Sequence, residues 1–230
     1  MAKRKQTRWM TPGMATRQRK ANGPPTSERR GKDSSIIKYN VLASTSATKA
    51  TGGFAYQLRV YTGGYAGNLS SPSGPAICSY YSTYRFLPGT TVRWEPSVSF
   101  STSGRVYVGF TDNPEQILYL LGLQQNIETK PNGGDGSTDY SLYADVVKGM
   151  GNVVSFPVWQ ETDIPFPSRC RRKRFDVNTN MSTVDANVYD RSAQTAMFMA
   201  AEGMPTGALT IGQFRYHDVV DVEGINLLSV

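Results

Sequence analysis

The sequence predicts an all-β fold, an eight-stranded antiparallel jelly-roll sandwich with short helices in its loops. About eight segments alternate apolar with polar residues, which is the period of a strand that buries one face. No strand–helix–strand alternation appears, and no repeat of about 20–50 residues is present. The 22 glycines, 13 prolines and 13 tyrosines are typical of strands joined by turns. Eight such strands fit a jelly roll.

Two of these strands lie in the segment YRFLPGTTVRWEPSVSFSTSGRVYVGFTDNPE, residues 84–115. Apolar side chains share one face at Val92, Trp94 and Val98, and again at Val106, Val108 and Phe110. The run SFSTSG between the two sets is small and polar, which is typical of a turn. We therefore expect two strands of one sheet layer. The second strand ends at an acidic corner with the sequence Asp112-Asn113-Pro114-Glu115.

The remaining elements follow from the same patterns. Further strands are predicted at residues 36–43, 54–61, 153–159, 169–177, 195–201 and 207–222. Short helices are predicted at residues 76–84, 116–123 and 140–148, and long loops at residues 63–75 and 130–137. Asn113 is expected to cap the helix that follows the acidic corner, with Pro114 at its first position.

Positive charge is concentrated at the start of the chain. The formal net charge is +7, and the first 32 residues hold ten bases and a single acid, Glu28. The ten bases are Lys3, Arg4, Lys5, Arg8, Arg17, Arg19, Lys20, Arg29, Arg30 and Lys32. This part of the chain has almost nothing to bury. We predict that residues 1–35 form a disordered arm that binds nucleic acid, and that residues 36–230 form one folded domain.

The composition of the arm also fits two different roles. A solubilising tail would have the same composition. A mitochondrial transit peptide is the second alternative, since residues 1–27 lack acids, but such a peptide needs an amphipathic helix, which Pro12-Gly13 and Gly23-Pro24-Pro25 would interrupt. If the arm does bind nucleic acid, Trp9 could stack on an unpaired base.

A second basic run has the sequence RCRRKR. Its bases are Arg169, Arg171, Arg172, Lys173 and Arg174. Five bases within six residues repel one another, so an anionic partner would relieve the repulsion, and we favour nucleic acid. A nuclear-localisation run and a solvated charged segment are the alternatives. Outside both basic runs the chain has ten bases and seventeen acids, which gives a net charge of −7.

The sequence offers no catalytic constellation. His217 is the single histidine, so any serine or cysteine triad would have to use it, and it lies within a predicted strand. No GxSxG, P-loop, HExxH or CxxC motif is present. We expect a protein that is not an enzyme. No secretory signal or membrane-spanning run is found, and Cys78 and Cys170 do not form a disulfide framework, so we expect a reduced compartment and no membrane partner.

The segment at residues 84–115 resembles part of a known family. An aromatic-rich strand, the turn PSVSFSTSG, a strand ending in GF and an acidic corner resemble the shell domain of sobemovirus and tombusvirus coat proteins. The close match covers about thirty residues, and a similar order of elements extends over residues 36–230. Some circular single-stranded DNA viruses encode similar shell domains, so the resemblance does not distinguish an RNA genome from a DNA genome.

The resemblance implies a structural capsid protein that assembles into an icosahedral shell. The protein would be found in the virion, after assembly in the host cytoplasm or nucleus. The arm would package a single-stranded genome, since 60 copies carry about 600 arm charges and 180 copies about 1,800, comparable with part of a genome of a few kilobases. In the resembling proteins, acids at this corner bind calcium between subunits. Asp112 falls on that motif, whereas Glu115 stands where those families usually have aspartate.

Two rival functions use the same sequence features. The chain could be a non-viral β-sandwich that binds nucleic acid with a basic tail, for which it would need aromatic stacking platforms such as Tyr80, Tyr81 and Tyr84. A jelly roll that binds glycans is the second rival, and it would leave the basic arm unexplained. Particle formation separates the capsid hypothesis from both.

Overall fold

A computed structural model describes residues 34–46, 54–62, 81–129, 136–167, 171–174, 193–205 and 210–225. The predicted arm therefore lies outside the described residues, apart from Ser34 and Ser35. The strands are β1 (Ser34–Ser46), β2 (Ala55–Thr62), β3 (Tyr81–Phe86), β4 (Thr91–Pro96), β5 (Arg105–Thr111), β6 (Val154–Pro157), β7 (Thr162–Ile164), β8 (Lys173–Arg174), β9 (Ala193–Glu202) and β10 (Thr210–Ile225). The helices are α1 (Pro114–Thr129) and α2 (Gly136–Lys148).

The strands form two antiparallel sheets. Sheet A is built around β10, which pairs with β1 along one edge and with β4 and then β3 along the other. Strand β7 extends the sheet beyond β4, and β8 extends it beyond β3. Sheet B has the order β2-β9-β5-β6. We count β3 with β4 as one interrupted strand and β7 with β8 as another. Each sheet then has four strands, and the predicted jelly-roll sandwich is confirmed.

A short turn interrupts the strand formed by β3 and β4. Residues 87–90 stand opposite only Asp218 and Val219 of β10. The Leu87 N–H donates to the Val219 carbonyl at 2.8 Å, and the Val219 N–H donates to Thr90 Oγ1 at 3.2 Å. The backbone groups at the interruption are therefore paired although the sheet ladder is broken there.

Two hydrophobic clusters stabilise the fold. The first lies between the sheets and includes Val106, Val108 and Phe110, so the predicted alternation of β5 is confirmed. The second lies between sheet B and the two helices. Strand β9 serves both clusters, because Met197 and Met199 point into the first and Phe198 points into the second. No helix among the described residues is long and apolar enough to span a membrane.

The secondary structure differs from the prediction at three places. Strands β4 and β5 lie in different sheets, because alternation shows which face is buried but not which sheet the strand joins. The predicted helix at residues 76–84 is replaced from Tyr81 by strand β3, whose pairing with β10 outweighs local propensity. Strand β7 was not predicted.

The remaining predicted elements are mostly confirmed, with different ends. Helix α1 continues beyond the predicted residue 123, because Ile127 extends its buried face. Helix α2 begins at Gly136, inside the predicted loop at residues 130–137, and residues 130–135 lie outside the described part. Of the predicted strand at residues 169–177, the structure describes the two residues of β8 as a strand.

Candidate nucleic-acid interface and acidic corner

Residues 171–174, which we call the basic strip, lie at one edge of sheet A. Its strand β8 pairs with β3, with Arg174 opposite Thr83. Thr83 is in turn opposite Glu223 of β10, and Glu223 is opposite Ser34, the first residue of β1. Neighbouring strands lie about 4.8 Å apart, so this row of four residues spans about 14 Å. The start of β1, two residues after Lys32, therefore lies in the same row as the basic strip, with β10 and β3 between them.

Arg172 is held against the sheet by two acidic residues of β10. Its Nη2 lies 2.6 Å from Oδ2 of Asp221, and its Nε lies 3.2 Å from Oε2 of Glu223. Arg85 of β3 contacts the same Asp221 oxygen at 3.0 Å. The Asp221 side chain is only 8% exposed. The charge of Arg172 is thus largely offset within the subunit.

Gln194 of sheet B holds the backbone of the same region. Its side chain is buried, and its Oε1 accepts a hydrogen bond from the Phe86 N–H at 3.0 Å. Its Nε2 donates to the Tyr84 carbonyl at 3.2 Å and also to the Arg171 carbonyl. One neutral amide therefore joins both sheets and the start of the basic strip.

The remaining predicted nucleic-acid ligands divide into two groups. Arg171 is exposed and Lys173 is half-buried. The Arg174 side chain, Arg169 and all ten bases of the arm lie outside the described residues. The sequence prediction missed Asp221, Glu223 and Gln194. Two acids spaced two residues apart, and therefore on one face of a predicted strand, were the available clue for the first two, whereas nothing local distinguishes Gln194.

The acidic corner is a helix N-terminus. Oδ1 of Asn113 accepts hydrogen bonds from the backbone N–H groups of Glu115 at 3.0 Å and Gln116 at 3.5 Å, so the predicted cap is confirmed. Asp112 and Glu115 are both exposed. Among the described residues there is no group of three or more His, Cys, Asp or Glu side chains that could hold a metal ion.

The acidic corner and the basic strip are connected through two consecutive residues of β9. Gln194 contacts the basic strip, and Oγ1 of Thr195 donates to the Thr111 carbonyl at 3.1 Å, directly before Asp112. Both residues line an open cleft of about 570 Å³ that also includes Asp112. The two predicted sites therefore share one support in sheet B.

His217 and Tyr84 have ordinary structural environments. His217 is half-buried on the outer face of sheet A, with Nδ1 2.8 Å from Oδ1 of Asn40, as expected of a surface histidine. Tyr84 is fully buried between the sheets, so it is not a stacking platform. Tyr81 is half-buried, while Tyr80, Trp9 and both cysteines lie outside the described residues.

Comparison with known families now identifies the relatives of this fold. A family model described as viral coat protein (S domain) matches residues 7–118. The resemblance to icosahedral virus coat proteins is confirmed. No curated protein matches the sequence. The family match supports a structural role in a virus capsid.

Several solved coat-protein structures share the fold. Tobacco necrosis virus aligns with a TM-score of 0.58 at 11% identity, covering 84% of this chain and 97% of that chain. The maize chlorotic mottle virus structure aligns with a TM-score of 0.58 at 15% identity, covering 84% of this chain and 95% of that chain. The T=3 Penaeus vannamei nodavirus structure aligns with a TM-score of 0.55 at 14% identity, covering 100% of this chain and 65% of that chain. At these identities the alignments show the coat-protein fold and carry no residue-level assignment.

Proposed function

We propose that this chain is the structural protein of an icosahedral virus shell, and that its basic arm packages a single-stranded RNA or DNA genome. The observation that carries the proposal is the distribution of charge on a coat-protein fold. Ten bases precede Asp33, and the sandwich begins at Ser34. Fifteen of the 25 basic residues belong to the arm and the RCRRKR run.

The arm would act through charge and not through base readout. Lysine and arginine neutralise phosphates and release condensed counterions, which lowers the free energy of binding for any sequence. Each copy contributes the same ten bases, so the effect is multiplied over a shell of 60 or 180 copies, between about 600 and about 1,800 charges in all. The folded domain would provide the contacts between copies.

Exposed apolar side chains on the folded domain support self-association. Large side chains stand in solvent at Leu42, Phe100, Tyr119, Leu142 and Trp159. Phe100 is 83% exposed at the turn between β4 and β5, where a hydrogen bond from the Thr102 N–H to the Ser99 carbonyl closes the turn. Aromatic side chains of this kind are enriched in subunit interfaces.

We also propose that Asp112 and Glu115 contribute to a calcium site between subunits. Calcium takes six to eight oxygen ligands, and the described residues of one subunit offer two carboxylates at this corner. Asn113 cannot turn its Oδ1 to a metal without giving up the helix cap. The residues therefore fit a shared site that a neighbouring subunit completes, and they do not fit a site within one subunit.

Expression of the full chain tests the capsid proposal. Electron microscopy of the purified protein should show closed particles, and digestion of the extracted contents with ribonuclease or deoxyribonuclease should identify the packaged nucleic acid. A protein that stays monomeric at high concentration across pH and salt would refute the assembly proposal. Empty particles of the full-length protein would refute packaging alone.

A further inference from the structure

We propose that Asp221, Glu223 and Gln194 are positioning residues, which hold the basic strip as a fixed phosphate-binding element on the folded domain. The inference rests on the proposed packaging function, but it concerns a different part of the chain from the arm. The ligand is the phosphodiester backbone of single-stranded nucleic acid. The bases that contact it would be Arg171 and Lys173, whereas Arg172 serves as the anchor.

The side chains of the basic strip point to two sides of the sheet edge. Side chains alternate along an extended segment, and residues opposite each other in a sheet share a face. Arg172 contacts Asp221 and Glu223 on the outer face of sheet A. Lys173 is opposite Tyr84 and so lies on the other side of the sheet edge, and alternation places Arg171 on that side as well. Anchoring Arg172 therefore fixes the direction of its two neighbours.

A shared carboxylate and a neutral amide anchor the basic strip. Asp221 is nearly buried and its Oδ2 contacts the guanidinium groups of both Arg85 and Arg172, so Arg172 is tied to strand β3 through a shared carboxylate. Gln194 binds the Arg171 carbonyl without adding charge. Together they fix one side chain and one backbone carbonyl of consecutive residues. A segment that is already ordered loses less conformational freedom when it binds phosphate than a disordered segment does.

A nuclear-import receptor that reads a basic run is the competing partner for the basic strip. Such a receptor needs the run as an accessible peptide. Here Arg172 is ion-paired and Lys173 and Arg174 are paired with β3. The folded subunit therefore presents the strip in a form that suits a phosphate backbone better than a peptide-reading receptor.

The substitution Asp221→Asn separates positioning from simple electrostatics. It makes the protein more positive by one unit, so charge alone predicts tighter binding of nucleic acid. If Asp221 positions the strip, binding at the strip should weaken instead. Asp163→Asn is the matched control, because it changes the charge equally and breaks the ion pair with Arg93 on the same sheet. Asp163 is 71% exposed and lies on β7, away from β8.

The experiment is an arginine footprint of the full-length protein with phenylglyoxal, read by mass spectrometry. Without nucleic acid, Arg172 should react roughly three-fold faster in Asp221→Asn than in the wild type, because its closer ion pair, with Asp221, is lost while the pair with Glu223 remains. With oligouridylate or oligodeoxythymidylate, Arg171 and the arm arginines should be protected in the wild type. Asp221→Asn should reduce protection of Arg171 by roughly three-fold and leave the arm protected. Asp163→Asn should behave as the wild type at Arg171.

Each contrary outcome has a definite meaning. Two outcomes would overturn the strip as a phosphate site and leave the proposed packaging intact. In the first, the oligonucleotide protects the arm of the wild type but not Arg171. In the second, an import receptor protects Arg171 and the oligonucleotide does not. Protection of neither would overturn packaging by the arm as well. Equal protection of Arg171 in Asp221→Asn would overturn the positioning role. If circular dichroism shows that Asp221→Asn is unfolded, Glu223→Gln decides, since Glu223 is 43% exposed and its substitution removes one of the two ion pairs that hold Arg172.

Discussion

The close approach of Trp94 and Gly212 should make them a strongly coupled pair in the fold. Trp94 is fully buried, its Nε1 donates to the Val158 carbonyl at 2.9 Å, and its ring centroid lies 4.9 Å from that of Phe214. A Cβ added at Gly212 would lie 2.7 Å from Cη2 of Trp94 and 2.7 Å from the Glu95 carbonyl oxygen. Both distances are far below van der Waals contact, so the indole occupies the space that glycine leaves.

The two single substitutions should each destabilise the protein. Trp94→Phe removes the hydrogen bond to a buried carbonyl and leaves a void, with an expected loss of about 3 kcal/mol in the free energy of unfolding. Gly212→Ala overpacks the same place, with an expected loss of about 2 kcal/mol. In the double variant the methyl group enters the void left by the indole. The combined loss should be smaller than the sum by about 1 kcal/mol or more, although the clash with the Glu95 carbonyl remains.

Urea unfolding followed by far-ultraviolet circular dichroism measures these losses. The titrations should be repeated at two or more protein concentrations, because self-association stabilises the folded state by mass action. If the loss of unfolding free energy in the double variant equals the sum of the two single losses within about 0.5 kcal/mol, the packing argument is refuted.

Three further predictions concern pH, the arm and calcium. Burial raises the pKa of Tyr140, Tyr143 and Tyr216. Urea titrations should therefore show that the free energy of unfolding falls as pH rises above about 10, by up to ~1.4 kcal/mol per pH unit for each tyrosine. Deleting residues 2–32 should flatten the salt dependence of nucleic-acid binding by up to about seven units of log–log slope, and an unchanged slope would move the function elsewhere. Light scattering should show that a chelator swells the particles and that calcium restores them. Asp112→Asn should abolish this response, and a wild-type response in that variant would exclude Asp112 as a ligand.

Local alternation was sufficient to predict most strands, because each of them buries at least one face. Trp94 in β4 and Val106 in β5 are fully buried, as the alternation indicates. Alternation could not show that these two strands belong to different sheets, since the polar turn between them fits either arrangement. The failure at β3 has a similar cause: Tyr84 and Phe86 are apolar and aromatic in either a strand or a helix, and only the pairing with β10 decides.

The sequence predicted the basic residues of the candidate site but not the residues that hold the basic strip in place. Basic runs are visible in any sequence, so the arm and the RCRRKR run were found from composition. The residues that hold the strip come from distant elements: Gln194 is 23 positions from Arg171, and Asp221 is 49 positions from Arg172. Contacts at such separations depend on the order of strands in a sheet, which local patterns do not contain.

Strand β10 explains why the first residue of β1 and the basic strip, which are far apart in the sequence, lie near each other in sheet A. It pairs with β1 on one edge and with β3 on the other, so the first residue of β1 and the residues of β8 are brought into one row. Its Asp221 and Glu223 offset the charge of Arg172 within that row. Without Asp221, the guanidinium groups of Arg85 and Arg172 would face each other without the carboxylate that they share, and their repulsion would oppose this arrangement. The acids of β10 therefore allow the sheet to hold a basic segment at this edge.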